Sequence, residues 1–387
     1  MKLNSNIKTA IRVAKIELNS MFYSPVAWLV LVIFGFQIGM SFAQIYGEQL
    51  RYQDMGYDLW SVTSGVYTGM RGILPPIQRY IYLYIPLITM GLMSREYQSG
   101  SIKLLYSSPV KNTSIIIGKF LSMMVYGGAL IAVLGVFVIF SAITIVNFDY
   151  PLVLSGMLGL YLLILAYSAI GLFMSSITKY QVVAAIGTLA VLAVLNFIGD
   201  VGQDYDLVRH ITYWLSITGR AYPFIDGLIA SDNIFYFLIV IGFFLALSIL
   251  KLNTEKTITP LKIKVLKYCV IVFVVLILGY VSSTPYTKYY YDATYTKSNT
   301  LAKESQDVIK NLDGDLTITT YVNLLDEDLY NGLPRNRNND FKRFEKYYRF
   351  KPDIEMKYVY YYDKSNNSSL EWRFPNKTFE ERVELLC

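Results

Sequence analysis

Seven apolar runs dominate the sequence, and several of them reach the length of about 20 residues that a helix needs to cross a bilayer. Only 17% of the 387 residues are charged and 54% are hydrophobic, whereas soluble domains carry about 25% charged residues. We therefore predict an all-α polytopic membrane protein over most of the chain. The predicted spans lie near residues 26–45, 80–94, 115–146, 152–174, 182–199, 234–250 and 266–283.

The distribution of Lys and Arg predicts how these spans are oriented. One set of connecting segments holds 14 of these residues, which are Lys2, Lys8, Arg12, Lys15, Arg95, Lys103, Lys111, Lys119, Lys179, Lys251, Lys256, Lys262, Lys264 and Lys267. The other set holds five, which are Arg51, Arg71, Arg79, Arg209 and Arg220. Because basic residues favour the cytosolic side, the amino terminus is predicted in the cytosol of a cell (inner) membrane protein. With seven crossings, the chain after about Pro285 is then extracytoplasmic.

The amino-terminal segment, residues 1–25, has the pattern of an amphipathic helix. Apolar residues recur at helical spacing between Ile7 and Phe22, while Lys8, Arg12 and Lys15 fill the opposite side. Such a basic amphipathic helix is typical of the headgroup region of a membrane. A cleaved signal peptide is the alternative, but the following run is longer than a signal core and no small-residue cleavage site ends it.

A polar-mixed loop joins the second and third apolar runs. Ser99, Gly100 and Ser101 are predicted to end the preceding helix, with the Ser101 hydroxyl capping a short helix over residues 102–106. Ser108 and Pro109 predict the start of a second helical piece in the same way. Ile102 and Leu105 would share one apolar face in water, and a protein partner would explain that face.

The sequence of this loop carries a family resemblance. The string Ser-Arg-Glu-Tyr-Gln-Ser-Gly-Ser-Ile-Lys-Leu-Leu-Tyr-Ser-Ser-Pro-Val between two apolar runs resembles the permease subunits of ABC transporters of the type-2 exporter class. The resemblance implies that residues 95–114 form a coupling loop that docks on a separate cytosolic ATPase. The implied interface residues are Arg95, Glu96, Ser99, Gly100, Ser101, Ile102, Leu105 and Pro109. An ordinary loop lying on the lipid headgroups is the alternative.

The spans themselves contain almost no ionisable residue. Ion-coupled transporters and intramembrane hydrolases keep such residues inside their helices, so both classes are disfavoured. Gly35 and Gly39 in the first span have the small-xxx-small spacing of helix-pairing motifs, which makes them a possible dimer face with a second copy or a related chain.

The loop over residues 200–233 contains five Asp residues together with His210, Tyr213 and Trp214. A cation site is one interpretation, and loop carboxylates around an interfacial helix are the favoured one. Type-2 exporters have a re-entrant helical hairpin near this position. Neither the single histidine nor Cys269 and Cys387 has metal-site or disulfide spacing. No phosphate-binding glycine loop is present, so the chain is predicted to bind no ATP or other cofactor itself and to be no enzyme.

The remaining chain divides into three parts. Residues 251–265 read as a basic cytosolic linker between the six-span block at residues 26–250 and a seventh span at 266–283. Residues 284–387 predict an α/β domain, with strands over 316–322 and 354–361 separated by a helix that carries Phe341, Phe344 and Tyr348. A crossover of this kind predicts parallel strands. An earlier helix, with Val308 and Ile309 on one face, is predicted to end in the Asn-Leu-Asp-Gly-Asp turn at 311–315.

Residues 287–323 resemble the start of the extracytoplasmic domain in auxiliary subunits of gliding-motility-type ABC transporters. There the domain follows a single span, as it does here. The sequence stops at Leu386-Cys387 within a predicted amphipathic helix, so we expect this domain to be truncated.

These features together predict a permease subunit of an ATP-driven ABC exporter. It would lie in the lipid bilayer and couple ATP hydrolysis by a separate cytosolic ATPase to transport. No nucleic-acid partner is predicted, because the +6 net charge forms no single basic face. The alternative is a membrane-anchored interaction or scaffold protein that acts through its extracytoplasmic domain. A membrane-embedded enzyme is disfavoured, since no acid, base or metal set converges.

Overall fold

The computed structural model describes residues 2–57, 61–69, 71–203, 205–257, 260–284, 287–312, 314–326, 332–351, 353–363, 374–375, 377–378 and 380–381. These residues form two compact units. The larger contains residues 1–196 and 216–297, and the smaller contains residues 197–215 and 298–387.

The larger unit is a helix bundle. Its helices are α1 (Lys2–Tyr23), α2 (Pro25–Asp54), α3 (Val62–Tyr67), α4 (Leu74–Thr89), α5 (Gly91–Ser99), α6 (Ile102–Ser107), α7 (Asn112–Thr144), α8 (Tyr150–Ile177), α9 (Gln181–Phe197), α11 (Ile217–Ile225), α12 (Ser231–Lys256) and α13 (Leu261–Ser282), with α10 (Asp206–Leu215) in the smaller unit. Two short strands, β1 (Leu228–Ala230) and β2 (Tyr290–Asp292), complete it.

Five of these helices are long and apolar enough to cross a membrane, namely α2, α7, α8, α12 and α13. They coincide with five of the seven predicted spans. The other two predictions fall on α9, an apolar helix of 17 residues, and on α4 followed by α5. Only Met90 separates α4 from α5, and Pro86 lies in the last turn of α4. The described residues thus support a polytopic helical membrane protein, and the count of seven spans stays a prediction.

Helix α8 is the centre of the bundle. About two thirds of its most apolar stretch is buried, more than in the other four long apolar helices. Glycines allow close packing against it: a Cβ atom at Gly159 would lie 2.4 Å from Cβ of Phe224 on α11. Ile217, Ala221 and Phe224 are fully buried. Helix α11 is therefore part of the bundle core.

The loop after α9 was predicted to surround an interfacial helix, with Tyr213 and Trp214 at headgroup depth. Both residues lie on α10 in the smaller unit, whereas α11 is packed in the bundle. The cation-site interpretation gains no support, because the described residues include no group of three His, Cys, Asp or Glu side chains that could hold a metal ion. Asp204 and the side chains of Asp200, Asp206 and His210 lie outside the described residues.

Gly35 and Gly39 were predicted as a possible dimer face, and within the chain both lie against α7. A Cβ at Gly35 would lie 3.3 Å from Val133, and one at Gly39 would lie 3.5 Å from Phe137. Both contacts are with α7 of the same chain. The glycine pair therefore contributes to packing between α2 and α7, and a role in pairing with a second chain stays a prediction.

The segment after α13 is fastened to one end of the bundle. Strand β2 pairs antiparallel with β1, and the amide of Ala293 donates to the Gly227 carbonyl at 2.7 Å. The amide of Tyr295 donates to the Asp149 carboxylate at 2.8 Å. The ends of α7, α11 and α13 consequently lie at the same end of the bundle.

The smaller unit contains α14 (Lys303–Lys310), β3 (Leu316–Asn323), α15 (Arg337–Tyr348) and β4 (Ile354–Tyr361). The two strands are parallel, with Leu316 opposite Ile354, as the sequence predicted. The predicted turn after α14 contains Gly314 in the left-handed conformation. The predicted final helix at Leu386-Cys387 lies outside the described residues.

Residues from the loop after α9 pack inside this same unit. The Arg209 guanidinium lies 4.9 Å from the centre of the Phe341 ring, which is within cation–π range. The Asn338 amide donates to the Gly199 carbonyl at 3.3 Å. The α/β segment therefore forms a compact unit together with this loop.

Candidate functional site

The predicted coupling loop contains a sharp change of direction at Gly100. Gly100 ends α5 with φ of 76°, in the left-handed region, and α6 begins two residues later. A residue with a Cβ would be strained in this conformation, although the space around it is open. The predicted helix break and the short helix over residues 102–106 are both confirmed, because α6 spans Ile102–Ser107.

The capping chemistry predicted for this loop is wrong in two places. The Ser101 side chain makes no cap and instead bonds the Ser99 hydroxyl at 2.9 Å. Ser108 and Pro109 start no helix, since the Ser108 hydroxyl accepts from the Val110 amide and α7 begins only at Asn112. The loop therefore has one short helix, because a local turn satisfies the Ser108 hydroxyl that would otherwise cap a second one.

Helix α6 presents a different face from the one predicted. Ile102 is buried, and Leu105 is half-buried against the core of the bundle. The apolar residue that points away is Leu104, which is 73% exposed, with Lys103 and Ser107 exposed beside it. The apolar face formed by Ile102 and Leu105 is thus covered by the chain itself, and Leu104 is the residue available to a partner.

A hydrogen-bonded cluster fixes α6 to the end of α12. The hydroxyls of Tyr97 and Tyr106 both donate to Oε2 of Glu255, at 2.6 and 2.9 Å. Nζ of Lys251 lies 2.9 Å from the other carboxylate oxygen. Burial raises the pKa of Tyr106 to about 12, and the Glu255 carboxylate adds to the increase while the bond from Tyr97 opposes it. The Tyr106 hydroxyl therefore remains a proton donor at neutral pH.

A second cluster, which we call the charge cluster, consists of Glu17, Arg95, Glu96 and Lys119. Nζ of Lys119 lies 2.6 Å from a Glu17 oxygen and 2.7 Å from a Glu96 oxygen, and the Lys119 side chain is only 3% exposed. Arg95 lies 2.7 Å from the other Glu17 oxygen. Two carboxylates and two cations thus join α1, α5 and α7 at the start of the coupling loop.

The electrostatics of this cluster are strong because it is largely removed from water. Burial raises the pKa of Glu96 above its usual 4.5, although the Lys119 charge opposes the increase. The second Glu96 oxygen is buried without a hydrogen-bond partner. Removing one member of such a buried set leaves an uncompensated charge, which costs more than the pairing itself contributes.

Close packing of α1 on α7 brings the charges together. A Cβ at Gly118 would lie 2.7 Å from both the Ala10 carbonyl oxygen and the Val13 Cβ. Only glycine therefore allows the two helices to approach this closely. Lys8, Arg12 and Lys15 are exposed on α1, as predicted for its polar side.

Of the eight predicted interface residues, the structure brings all but Ile102 to an exposed or half-buried position on one continuous segment. Ser99, Gly100 and Pro109 are exposed, and Ser101 and Leu105 are half-buried. Arg95 and Glu96 are half-buried and engaged in the charge cluster. Whether any of them contacts a partner stays a prediction.

Sequence reasoning missed Glu17, Lys119 and Glu255 as parts of this site. Glu17 offered a signal, because it lies on the same face of α1 as Ala10 and Met21, at spacings of seven and four residues. Lys119 lies in a long apolar run, where a charge needs a partner. Neither signal identifies the partner, since the paired residues lie 102 positions apart in sequence.

The described helices and this loop fit a polytopic helical membrane protein. Residues 11–203 match the family model described as ABC-2 family transporter protein. The match supports an ABC-2 type permease, and it includes the whole charge cluster but not Glu255. Neither the curated proteins nor the solved structures contained a match to the chain.

Proposed function

We propose that the chain is the membrane subunit of an ATP-driven ABC exporter and that α6 transmits force from a separate cytosolic ATPase. The observation that carries the proposal is the position of α6, a short helix with exposed Leu104. Tyr106 bonds α6 to α12, and the charge cluster joins α5, the helix directly before α6, to α1 and α7. A push on α6 would therefore reach α12 directly and α1 and α7 through α5.

The chain would carry this motion without catalysing a reaction. ATP would be bound and hydrolysed by the partner subunit, so no cofactor is required here. A second copy or a related chain would complete the transport pathway. Spans with few charged residues favour an apolar or lipid-like cargo, or a mechanical output of the gliding-motility type, over a small ion.

Co-purification tests the ATPase contact. The tagged full-length chain is purified in mild detergent from its native cell, and ATP hydrolysis by the eluate is measured. We expect an ATPase to co-elute with the wild type and to be lost from Leu104→Asp. Leu261→Asp is the matched control, because Leu261 is 75% exposed and also lies at a helix start next to basic residues.

The outcomes separate the candidate functions. Equal ATPase retention by both variants would exclude Leu104 from the contact. No ATPase in the wild-type eluate would favour the membrane-anchored interaction protein, which needs none.

The proposed orientation places α6 in the cytosol and the segment after α13 outside. It rests on the excess of basic residues near α6 and on the fastening of Tyr295 to the opposite set of loops. In a background with Cys269→Ser and Cys387→Ser, a membrane-impermeant thiol reagent should label Tyr295→Cys in intact inner-membrane spheroplasts. It should label Leu104→Cys only after permeabilisation, and the reverse pattern would invert the topology.

A further inference from the structure

An apolar groove runs between α12 and α13, away from the site described above. It has a volume of about 380 Å³, which is within the range of ligand pockets. Its walls include Leu238, Gly242 and Ala246 on α12 and Ile271, Val274 and Leu278 on α13. No charged side chain lines it.

The groove exists because α13 packs loosely. Only 6% of the most apolar stretch of α13 is buried. Most of the contacts that α13 does make are with α12. Gly242 leaves additional space, since a Cβ there would meet no atom within 4 Å. In a bilayer such a space is filled by a hydrocarbon chain and not by water.

One end of the groove is basic. Lys264 and Lys267 precede Ile271 by seven and four residues, so the helical repeat places them on the groove face of α13. Lys256 ends α12 at the same end of the helix pair. Lys262, by contrast, is nine residues before Ile271, which places it on the opposite side of the helix. In the part of the chain that the structure describes, none of these four lysines forms an ion pair.

We propose that this groove binds an anionic phospholipid, with an acyl chain between α12 and α13 and the phosphate at Lys264 and Lys267. Two observations of different kinds select this occupant. The groove is apolar along the part of the helices that has membrane-spanning hydropathy. The adjoining first turns of α13 carry Lys264 and Lys267, whose positive charge attracts an anionic headgroup. Long lysine side chains reach the interface from such positions while their stems cover apolar surface.

The bound lipid would hold α13 against the bundle. Helix α13 has few contacts of its own, and an acyl chain would supply apolar contacts to both walls of the groove. This role is independent of the ATPase contact at α6, because it involves other helices and another chemistry.

Lipid titration of the delipidated full-length chain, read by native mass spectrometry, tests the proposal. The probes are phosphatidylglycerol and phosphatidylcholine with identical acyl chains. We expect the wild type to prefer phosphatidylglycerol. The double variant Lys264→Gln with Lys267→Gln should bind it about 25-fold more weakly, since one lysine near a membrane surface contributes roughly fivefold.

Three control variants locate the two parts of the site. Lys262→Gln removes one charge from the same helix turn on the opposite side and should leave the preference unchanged. Replacement of Lys264 and Lys267 by Arg should retain it. Gly242→Leu fills the groove and should weaken binding of both lipids roughly tenfold, the effect of excluding about two methylene groups. Gly128→Leu adds the same side chain to open space on α7 and should not.

Several results would overturn the proposal. Equal affinity of the wild type for the two lipids would refute the headgroup site. Lys262→Gln could also weaken phosphatidylglycerol binding as much as each lysine of the double variant does. That result would indicate diffuse charge attraction and not a defined headgroup site. Unchanged binding by a folded Gly242→Leu variant would place the acyl chain elsewhere.

Discussion

Replacement of Lys119 by Met is the sharpest perturbation of the charge cluster. Met has nearly the length of the lysine stem and keeps its packing between α1 and α5, but it removes the charge. The first Glu96 oxygen then loses its 2.7 Å contact, and the second has no hydrogen-bond partner already. Glu17 keeps its contact with Arg95.

The expected loss follows from this geometry. Removing one partner from a buried ion pair typically costs about 3–5 kcal/mol, because a charge remains buried without compensation. We expect Lys119→Met to lower the free energy of unfolding by that amount. The triple variant Lys119→Met, Glu17→Gln, Glu96→Gln removes the stranded charges and leaves only the half-exposed Arg95, so it should recover most of the loss.

Unfolding in mixed micelles, driven by an increasing fraction of denaturing detergent, measures these free energies. Lys15→Met is the matched control, because Lys15 is an exposed lysine on α1 and its loss should change the free energy by no more than about 0.5 kcal/mol. The reasoning would be refuted if Lys119→Met cost no more than Lys15→Met, or if the triple variant were less stable than the single one.

Three further predictions concern the same region. Burial raises the pKa of Glu96 in the folded state. The stabilisation that comes from protonated Glu96 is therefore present below pH 4.5 and is lost as the pH rises through the raised pKa. The stability of the wild type relative to Glu96→Gln should increase on acidification, and a stability difference that is constant with pH would contradict the prediction. Gly118→Val should separate α1 from α7, at a cost of about 1–3 kcal/mol, and should make α1 more accessible to protease, whereas the open-space substitution Gly128→Val should not. Tyr106→Phe removes one hydrogen bond to Glu255, so amide exchange in α6 should be several-fold faster, in line with a net loss of about 1 kcal/mol. An unchanged exchange rate would show that the Tyr106 bond does not hold α6 in place.

The sequence predicted those parts of the fold that depend on local pattern. The apolar runs located α2, α7, α8, α12 and α13, since a bilayer requires long apolar helices. Gly100 predicted the end of α5, because a left-handed residue is encoded locally. The alternating patterns of β3 and β4, with a helix between them, predicted parallel pairing.

The parts that sequence reasoning missed depend on which segments meet in the folded chain. Ile102 was assigned to a partner because the sequence of a six-residue helix does not show which side the rest of the bundle covers. In the folded chain the bundle buries Ile102. The Gly35 and Gly39 spacing indicated helix packing, but it could not show that α7 of the same chain lies against the pair. The charge cluster was missed because Glu17 and Lys119 are far apart in sequence, and a mainly basic helix obscured the single acidic residue on its buried face.

Site-specific photo-crosslinking tests the central claim, that α6 contacts a cytosolic ATPase through Leu104, most directly. A photoreactive amino acid is placed at position 104, at the buried position 102 or at the equally exposed position 261, and the full-length chain is irradiated in membranes. We expect a covalent adduct with an ATP-hydrolysing subunit from position 104 and none from positions 102 and 261. Equal adduct yields from positions 104 and 261 would contradict the claim. It would also be contradicted if position 104 gave no adduct although the ATPase co-purifies with the chain from the same membranes.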